Sequence, residues 1–530
     1  MPRELLWWKK GVIYQVYPRS FQDSDGDGVG DLRGIKERLD YLHWLGVDIL
    51  WLSPVFSSPM IDFGYDIRDY LQIDPLFGSL SDFDNLVIRA HRLGMKVLLD
   101  FIPNHTSAQH PWFCEARTSR DNPRRNWYLW RDPAPDGGPP NNWLSHFGGP
   151  AWTFDPHTGQ YYCHSYLKEQ PDLNWRNPDV EETMWEVLRF WLARGVDGFR
   201  LDAVWNLIKD DQFRDNPPNP EYQSGDWPYK ALIPLYSCDR PEIHPILHRM
   251  RQVIEAYGEK ILVGEIYLPP ERLVTYYGAG EKPEIHLPHN FELLFTPWKA
   301  EAVAATVDRF EGLLPPGQWP TWVLGNHDRP RLASRIGTDQ ARVAALLLLT
   351  LRGTPTIYNG DEIGMENVPI AQWQIQDPWE KNSPGLGLGR DSVRTPMPWS
   401  TARNAGFTTG HPWLPLAGNY RQCNVTAQMR TSDSMLNLYR ALIHLRRVEP
   451  TLLKGSYETI TATQSLYAYR RRHGAEEILV ILNFGLDAAG FAMDRGKILL
   501  SSHLNRGQDT FQNRVWLRGN EGVVIRPGLS

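Results

Sequence analysis

In the segment Asp197-Gly198-Phe199-Arg200-Leu201-Asp202, a Gly and two apolar residues surround an arginine, and the segment ends in a carboxylate. Val263-Gly264-Glu265 and Gly325-Asn326-His327-Asp328 end in the same way, and apolar residues precede both. Runs of this kind are typical of buried strands in a parallel sheet. Because a carboxylate at the end of such a strand is costly unless it is paired or functional, we predict that three strands carry the acids of an active site to one rim.

Strand-like and helix-like runs alternate along most of the chain. Helical patterns over residues 32–45 and 83–93 separate the first three strand-like runs. Eight strands are predicted, over residues 12–17, 49–52, 97–102, 198–201, 261–263, 291–295, 322–324 and 354–358. This alternation predicts an α/β fold, a (β/α)8 TIM barrel, with its active site at the C-terminal ends of the strands.

Two stretches depart from the barrel pattern. Residues 106–174 are rich in Pro, Gly, Asn and Trp and lack helical periodicity, which predicts an inserted subdomain over the barrel mouth after the third strand. Residues 447–530 contain short alternating strands bounded by Gly and Asp, which predict a separate all-β domain. The predicted barrel therefore consists of residues 1–105 and 175–446.

Composition restricts the classes of partner. The chain has 530 residues and a net charge of -6, with acids and bases interspersed, so binding to nucleic acid or to an anionic membrane is not expected. The cysteines are widely spaced and favour a reducing compartment over a disulfide framework: Cys114, Cys163, Cys238 and Cys423. The first ten residues contain no apolar signal-peptide core. We expect a soluble, cytoplasmic protein with a small or neutral partner.

Arg200 and Asp202 are two residues apart on one strand, so their side chains point to the same face. The guanidinium can then hold the carboxylate ionised, as a nucleophile at an anomeric carbon must be. A structural Arg–Asp pair is the alternative interpretation of the same spacing.

The other two acids have settings that favour different roles. Glu265 precedes Ile266 and Tyr267, and this partly apolar setting together with nearby carboxylates should raise its pKa, so that it can donate a proton to a glycosidic oxygen. A Glu that caps the next turn is the alternative. Asp328 follows His327 and is suited to gripping neighbouring sugar hydroxyls, and His105 could do similar work from a third strand.

Four segments of the sequence, taken together, resemble a known family. Residues 100–105, 198–202, 264–266 and 325–328 resemble, in this order, the four sequence regions of the α-amylase family, glycoside hydrolase family 13. The resemblance implies a barrel with a subdomain inserted after the third strand and a C-terminal antiparallel β-sandwich. It also implies double displacement with retention of the α configuration. In that mechanism Asp202 is the nucleophile, Glu265 is the acid/base and Asp328 stabilises the transition state. The implied binders of the glucosyl unit are Arg200, His105 and His327.

Within that family, residues 7–21 and 170–175 resemble the oligo-1,6-glucosidase and α-glucosidase branch. This implies an exo-acting enzyme in which Asp62 and Tyr65 close the pocket around the non-reducing glucose, with Arg390 or Arg394 as the partner. Ala203 stands where oligo-1,6-glucosidases of this branch typically carry Val, which opens the linkage preference to α-1,4 as well as α-1,6 bonds, with sucrose and trehalose also possible substrates. Arg329 departs from the Gln or Val expected after Asp328 and is predicted to reshape the site of the second sugar.

An acidic loop precedes the first predicted helix. Residues 23–31 place carboxylates at alternate positions with Gly at a sharp turn, as at the start of an EF-hand, but position twelve is Gly34. The loop resembles instead a structural Ca²⁺ site of this branch, with Mg²⁺ as the alternative ion. The implied ligands are Asp23, Asp25, Asp27, the Val29 carbonyl and Asp31. A metal-free acidic turn that caps the helix is the other interpretation.

Two rival functions remain open at the level of the sequence. A transglucosylase or a sucrose-converting enzyme would use the same three acids but deliver the glucosyl group to a sugar. A non-catalytic binding subunit would need none of the acids, and this chain retains all three, Asp202, Glu265 and Asp328. The expected partner is an oligosaccharide or disaccharide, and the chain could be a monomer or a homodimer.

Overall fold

The structure is a computed structural model that describes residues 5–528. Eight parallel strands form its central sheet: β1 Ile13–Val16, β2 Ile49–Leu52, β3 Lys96–Phe101, β4 Gly198–Leu201, β5 Ile261–Glu265, β6 Leu287–His289, β7 Thr321–Val323 and β8 Thr354–Tyr358. Their order is β6-β5-β4-β3-β2-β1-β8-β7, and a parallel bridge from Asn290 to Trp322 joins the two ends. The sheet is thus a closed barrel, which confirms the predicted fold class.

Helices follow most of the barrel strands. Their bounds are Trp7–Lys10, Leu32–Glu37, Leu39–Leu45, Leu80–Arg92, Pro111–Ala116, Pro178–Ala193, Ile243–Glu255, Pro270–Leu273, Glu292–Phe295, Ala300–Leu313, Leu332–Ile336, Thr338–Thr350, Pro378–Asn382, Val425–Arg430, Met435–Val448 and Pro450–Lys454. Side chains start several of them; Ser79, for example, accepts a hydrogen bond from the backbone N–H of Asp82. Within residues 5–528, no helix is long and apolar enough to cross a membrane.

The prediction of a sixth strand at 291–295 is wrong. The strand is Leu287–His289, and Glu292–Phe295 forms a short helix directly after it. The Asn290 side chain accepts a hydrogen bond from the backbone N–H of Glu292 at 3.0 Å and so begins the helical turn. A run of five residues, four of them apolar, is too short for its periodicity to distinguish a strand from a helix, which explains the error.

Alternation of side chains along the strands divides the core into two parts. Ile13, Ile49 and Leu98, each on a different strand, fill the interior of the barrel. Their neighbours along each strand point the other way and pack outward against the helices. On β4, Phe199 and Leu201 belong to the outer core. The side chains of Arg200 and Asp202 therefore point into the barrel, at its C-terminal rim.

The segment between β3 and the helix Pro178–Ala193 forms the inserted subdomain. It contains the helix Pro111–Ala116 and an antiparallel sheet of three short strands, Trp130–Arg131, Trp152–Asp155 and Gln160–Cys163, with the last in the centre. His146 and Phe147 from this subdomain line the same cavity as the acids of the barrel.

The C-terminal part forms an antiparallel β-sandwich. Its strands are β9 Ser456–Ala462, β10 Leu466–His473, β11 Glu476–Asn483, β12 Ala489–Ser501, β13 Thr510–Leu517 and β14 Gly522–Pro527. Tyr467 and Tyr469 on β10 pack toward the main core, while Leu466 and Ala468 belong to a separate core within the sandwich. Arg471 on β10 donates to the Thr350 carbonyl at 2.6 Å, so a buried cation meets the C-terminus of the helix Thr338–Thr350 and ties the sandwich to the barrel.

Candidate active site

Three strands carry the predicted catalytic acids to one cavity. Asp202 follows β4, Glu265 ends β5, and Asp328 lies in the loop after β7. The cavity has a volume of about 470 Å³, and all three carboxyl groups line it. Of the other residues predicted for substrate binding, Asp62, Tyr65, His105, His327 and Arg390 also line the cavity. Arg200 and Arg394 lie behind its wall, where each contacts an acid of the cavity.

Arg200 contacts three carboxyl groups at the base of the site. Its Nη1 lies 2.7 Å from both Asp100 Oδ1 and Asp202 Oδ1, and its Nη2 lies 3.0 Å from Glu265 Oε1. The guanidinium is fully buried, which strengthens each contact but divides one positive charge among three carboxyl groups. Asp100, whose pKa burial raises to about 6, was not among the residues predicted from the sequence.

Arg200 contacts Asp202, as the sequence predicted, but the same guanidinium also contacts Asp100 and Glu265. Burial, followed by the charge of Glu265, raises the pKa of Asp202 well above its usual value. Burial also raises the pKa of Glu265, as its apolar neighbours in the sequence predicted. The two carboxyl groups interact directly, and such a pair titrates as a unit, with a pH range in which the two groups share one proton. One shared proton suits a nucleophile–acid pair, in which one carboxyl group must be ionised and the other protonated.

A strained backbone position joins the two acids. Ala203, directly after Asp202, has φ 46° and ψ 35°, in the left-handed region that non-glycine residues rarely adopt. In this conformation its backbone N–H donates to Glu265 Oε2 at 2.9 Å. The side chain is buried and small, and a β-branched residue would be more strained at this φ. The backbone of the Asp202 strand thus helps to position the carboxyl group of the neighbouring strand.

Asp328 has the opposite electrostatic environment. Its Oδ1 lies 2.7 Å from Arg394 Nη2 and 3.5 Å from Arg390 Nη1, and its Oδ2 lies 3.4 Å from His327 Nε2. Burial opposes ionisation, but these neighbours outweigh it and hold the pKa of Asp328 well below its usual range. Asp328 is therefore ionised at neutral pH, next to two acids whose pKa values are raised.

A network of ion pairs forms the wall beside Asp328. Arg390 binds Asp62 Oδ1 at 2.7 Å through Nη2 and makes a two-pronged contact with Asp377, with Nη2 2.7 Å from Oδ1 and Nε 3.0 Å from Oδ2. Gln170 donates to Asp62 Oδ2 at 3.1 Å. Asp377 was missed by sequence reasoning, because it lies in the long loop after β8, where nothing in the local pattern marks one acid among several.

Two histidines and two tyrosines lie beside this wall. The His327 ring stacks between Tyr17 and Tyr65, with ring centroids 5.7 and 5.5 Å away. The Tyr65 hydroxyl donates to Asp100 Oδ2 at 3.1 Å and lies 2.8 Å from His327 Nε2. His105 lies beside them, with Nε2 3.1 Å from the Tyr65 carbonyl oxygen. These contacts hold the rings of Tyr65, His105 and His327 in the wall of the cavity.

Aromatic residues form a large part of the cavity lining, and sequence reasoning missed most of them. Besides Tyr65, the aromatic residues that line the cavity are Phe147, Tyr166, Trp205, Trp227, Tyr229, Tyr267, Phe295 and Trp379. Phe147 from the inserted subdomain stacks on Trp379 from the loop after β8, with centroids 5.1 Å apart. Trp205 and Tyr267 follow Asp202 and Glu265 by three and two residues, so proximity in sequence could have identified them. Phe147 and Trp379 lie in long irregular segments that carry no such signal.

The acidic loop brings three of its predicted ligands together. Carboxylate oxygens of Asp23, Asp25 and Asp27 lie within 4.8 Å of one another, and such a set of hard oxygen donors fits Ca²⁺ or Mg²⁺. Asp31 is not part of this group. Its Oδ1 accepts from Gly34 N and Oδ2 from Ser24 N, so it caps the helix Leu32–Glu37. The backbone N–H of Val29 donates to Asp27 Oδ1 at 2.7 Å.

The chain is similar in sequence to a known family model and to known glucosidases. The family model "Alpha amylase, catalytic domain" matches residues 15–455. A probable alpha-glucosidase of Rhizobium meliloti is 42% identical over 91% of this chain and 90% of its own length. An oligo-1,6-glucosidase of Halalkalibacterium halodurans is 40% identical over 90% of both chains.

Solved structures show the same likeness in three dimensions. The alpha-glucosyl transfer enzyme XgtA superposes with a TM-score of 0.94 at 41% identity, covering 99% of this chain and 100% of its own. The trehalulose synthase MutB of Pseudomonas mesoacidophila MX-45 superposes with a TM-score of 0.91 at 34% identity, with the same coverage.

Proposed function

The chain belongs to the α-amylase family, glycoside hydrolase family 13, and from that premise we propose that it is an exo-acting α-glucosidase that releases glucose from the non-reducing end of short α-glucosides. The observation that carries the proposal is the buried network of Asp62, Arg390 and Asp377, which walls off the cavity beside Asp328. A wall at this position supports the binding of one terminal glucose rather than of the middle of a long chain. The α-glucosidase and oligo-1,6-glucosidase relatives support the same activity.

We propose a retaining mechanism for this activity. Asp202 attacks the anomeric carbon while Glu265 gives its proton to the glycosidic oxygen, so that the leaving sugar departs as an alcohol and a glucosyl ester forms on Asp202. Glu265, now ionised, takes a proton from water as the water oxygen attacks the same carbon and breaks the ester bond. Asp328, held ionised by Arg394 and Arg390, stabilises the positive charge that develops on the sugar ring and accepts hydrogen bonds from the ring hydroxyls.

A panel of substrates tests the proposal. We expect glucose release from maltose and isomaltose, and the rates with sucrose and trehalose will show the preference among the remaining linkages. For soluble starch we expect at least about tenfold lower kcat/KM, because the wall beside Asp328 admits only a chain end. Chromatography of the products and the optical rotation of freshly released glucose provide the readouts. Internal cleavage of starch into long fragments would contradict an exo mode, and release of β-glucose would contradict retention.

Transfer to a sugar acceptor is the second candidate function. The solved relatives include an alpha-glucosyl transfer enzyme and a trehalulose synthase, which favours this alternative over a non-catalytic role. In both reactions the same glucosyl ester forms, and only the second nucleophile differs. Longer oligosaccharides or rearranged disaccharides at high substrate concentration would identify transfer as the main activity.

We propose that Asp23, Asp25 and Asp27 hold a structural Ca²⁺, with Mg²⁺ as the alternative. The ion would supply positive charge to three clustered carboxylates and tie their loop to the loop after β8. That connection already exists through hydrogen bonds from Asp23 N to the Phe407 carbonyl at 3.0 Å and from Trp413 N to the Gly28 carbonyl at 3.1 Å.

Removal of this ion should lower stability more than activity. We expect a chelator to lower the Tm by about 2 to 5 °C and to leave the initial rate at 25 °C nearly unchanged, because the loop lies outside the catalytic cavity. Thermal melts and rates measured with and without chelator check this. In an Asp25→Asn variant the Tm should already be low and respond less to the chelator. Immediate, calcium-reversible loss of activity without a change in Tm would contradict a structural ion.

We also propose a cytoplasmic location. All four cysteines are free thiols, and Cys163 and Cys238 are buried, which supports folding in a reducing compartment. Cell fractionation with antibody detection tests this, and recovery of the protein outside the cytoplasm would contradict it.

A further inference from the structure

Arg329 lies in the wall of the catalytic cavity without a charged or hydrogen-bonding partner. Within residues 5–528 it makes no ion pair and no hydrogen bond through its side chain, and its Nε is buried without an acceptor. The two terminal nitrogens are accessible from the cavity that the residue lines. Arginine side chains in a wall of this kind usually meet an acceptor, so Arg329 holds free donors toward the position of a ligand.

Aromatic rings hold the guanidinium in place. Its central carbon lies 5.1 Å from the ring centroid of Phe295, 5.4 Å from that of Tyr267 and 6.0 Å from that of Trp379. Contacts with ring faces use the plane of the guanidinium and leave its N–H groups free to donate at the edge. The Phe295 side chain is 56% exposed, so the wall also offers an open apolar ring of the kind that stacks on a sugar.

Arg329 lies on the side of the cavity that faces the leaving group. Glu265, the proposed proton donor, must face the glycosidic oxygen, and Tyr267 follows it by two residues and lies under Arg329. The wall that binds the terminal glucose, with Asp62 and Arg390, contacts Asp328 instead. A group held by Arg329 is therefore the sugar beyond the bond that is cleaved.

The charges of the inner cavity favour a neutral ligand over an anion. The network of the inner cavity consists of two clusters of ion pairs, Asp100, Asp202 and Glu265 around Arg200, and Asp62, Asp328 and Asp377 around Arg390 and Arg394. Contacts of Tyr65 and His327 link the two clusters, so the network contains six carboxyl groups and three guanidinium groups. If the three carboxyl groups around Arg200 are all protonated, the other three carboxylates balance the three guanidinium groups and the net charge is zero. If fewer of them are protonated, the net charge of the network is negative. An anionic leaving group would gain nothing from this network, whereas neutral hydroxyl oxygens accept hydrogen bonds from Arg329 without such a penalty.

We infer that Arg329 is a specificity-determining residue that binds the hydroxyls of the second sugar, as leaving group in hydrolysis and as acceptor in transfer. This inference rests on the proposed α-glucosidase function. It predicts that Arg329 makes the enzyme prefer a sugar leaving group over an aryl one. It also predicts that Arg329 raises the share of glucosyl groups passed to a second sugar, because a bound acceptor competes with water for the glucosyl ester.

The test compares Arg329→Met, Arg329→Lys and the unaltered enzyme on maltose and on phenyl α-glucoside, whose leaving group carries no other hydroxyl. In Arg329→Met we expect KM for maltose to rise about 10- to 100-fold with kcat nearly constant, while kcat/KM for phenyl α-glucoside changes less than about threefold. Arg329→Lys keeps the charge without the planar fork and should be intermediate. At high maltose the ratio of trisaccharide to glucose should fall in Arg329→Met. Arg403→Met, which removes an exposed charge in another loop, is the matched control.

The outcomes separate the inference from the function on which it rests. An unchanged KM for maltose, or equal losses on both substrates at unchanged Tm, would overturn the role of Arg329. If Arg329→Met lowers the Tm, Arg329→Lys is used in its place. An equal loss of kcat/KM on maltose and on phenyl α-glucoside in that variant would then overturn the role of Arg329. A marked preference of the unaltered enzyme for a phosphorylated disaccharide over maltose would overturn the neutral ligand class. Inactivity of the unaltered enzyme on every substrate would instead refute the α-glucosidase proposal.

Discussion

Replacement of Asp202 by Asn is expected to lower kcat/KM for maltose by about 10⁴-fold or more, because an amide cannot form the glucosyl ester of the proposed mechanism. The fold should survive. Asp202 already has a raised pKa, so a neutral side chain of the same shape suits its buried position. Arg200 also keeps its contacts with Asp100 and Glu265. Steady-state rates and a thermal melt of the same preparation check both parts of this expectation.

A second substitution on the same strand provides the control. Asp197 lies at the opposite end of β4 and pairs with His91 and Lys96, far from the cavity rim. Asp197→Asn should therefore lower the Tm while kcat/KM stays within about threefold, since it weakens partly exposed ion pairs and leaves the acids in place. Full activity in Asp202→Asn, or a loss of similar size in Asp197→Asn, would remove the assignment of Asp202 as nucleophile.

Azide separates the nucleophile from the acid/base by stereochemistry. In Asp202→Gly, azide can enter the space of the missing carboxylate and attack the anomeric carbon directly, which gives β-glucosyl azide from a substrate with a good leaving group. In Glu265→Ala the ester still forms on Asp202, and azide attacks it from the other face to give α-glucosyl azide. If Asp202→Gly gave α-glucosyl azide and Glu265→Ala gave β-glucosyl azide, Glu265 would be the nucleophile and Asp202 the acid/base.

The sequence predicted the positions of the acids because their placement follows from local rules. A buried strand has a recognisable composition, parallel strands share one rim, and a charge at that rim needs a function or a partner. Asp202, Glu265 and Asp328 therefore converge although they are far apart in the chain. The sixth strand was misplaced because the run at 291–295 was too short for its periodicity to decide.

Other features of the site depend on distances that no local pattern encodes. Arg200 was expected to pair with Asp202, yet three strands bring three carboxyl groups to one guanidinium. Burial, followed by the charge of Glu265, raises the pKa of Asp202, and neither effect can be read from the local sequence. Asp377 and Trp379 come from an irregular loop whose path only the folded chain defines. The left-handed conformation of Ala203 is equally invisible in a sequence, since Ala is not a residue that marks such positions.

Replacement of Glu265 by Gln should have an effect that depends on the leaving group. For maltose we expect kcat/KM to fall about 10³-fold, because the glycosidic oxygen must then depart without a proton. For 2,4-dinitrophenyl α-glucoside the first step needs no proton, so the rate of ester formation, measured as a burst of dinitrophenol, should fall less than about tenfold. The ester would then accumulate, since the base that activates water in the second step is also missing.

The pH dependence gives an independent check on the same residue. Because the folded protein raises the pKa of Glu265, its protonated form persists above the usual pH range of a glutamic acid, and kcat/KM of the unaltered enzyme should decline only as pH rises through the raised value. Glu265→Gln cannot lose that proton, so this alkaline decline should be absent from its profile. An alkaline limb that persists in the variant, or an equal loss for maltose and the dinitrophenyl glucoside, would show that another group is the proton donor. Asp328 could not take that role, since Arg394 and Arg390 keep it ionised.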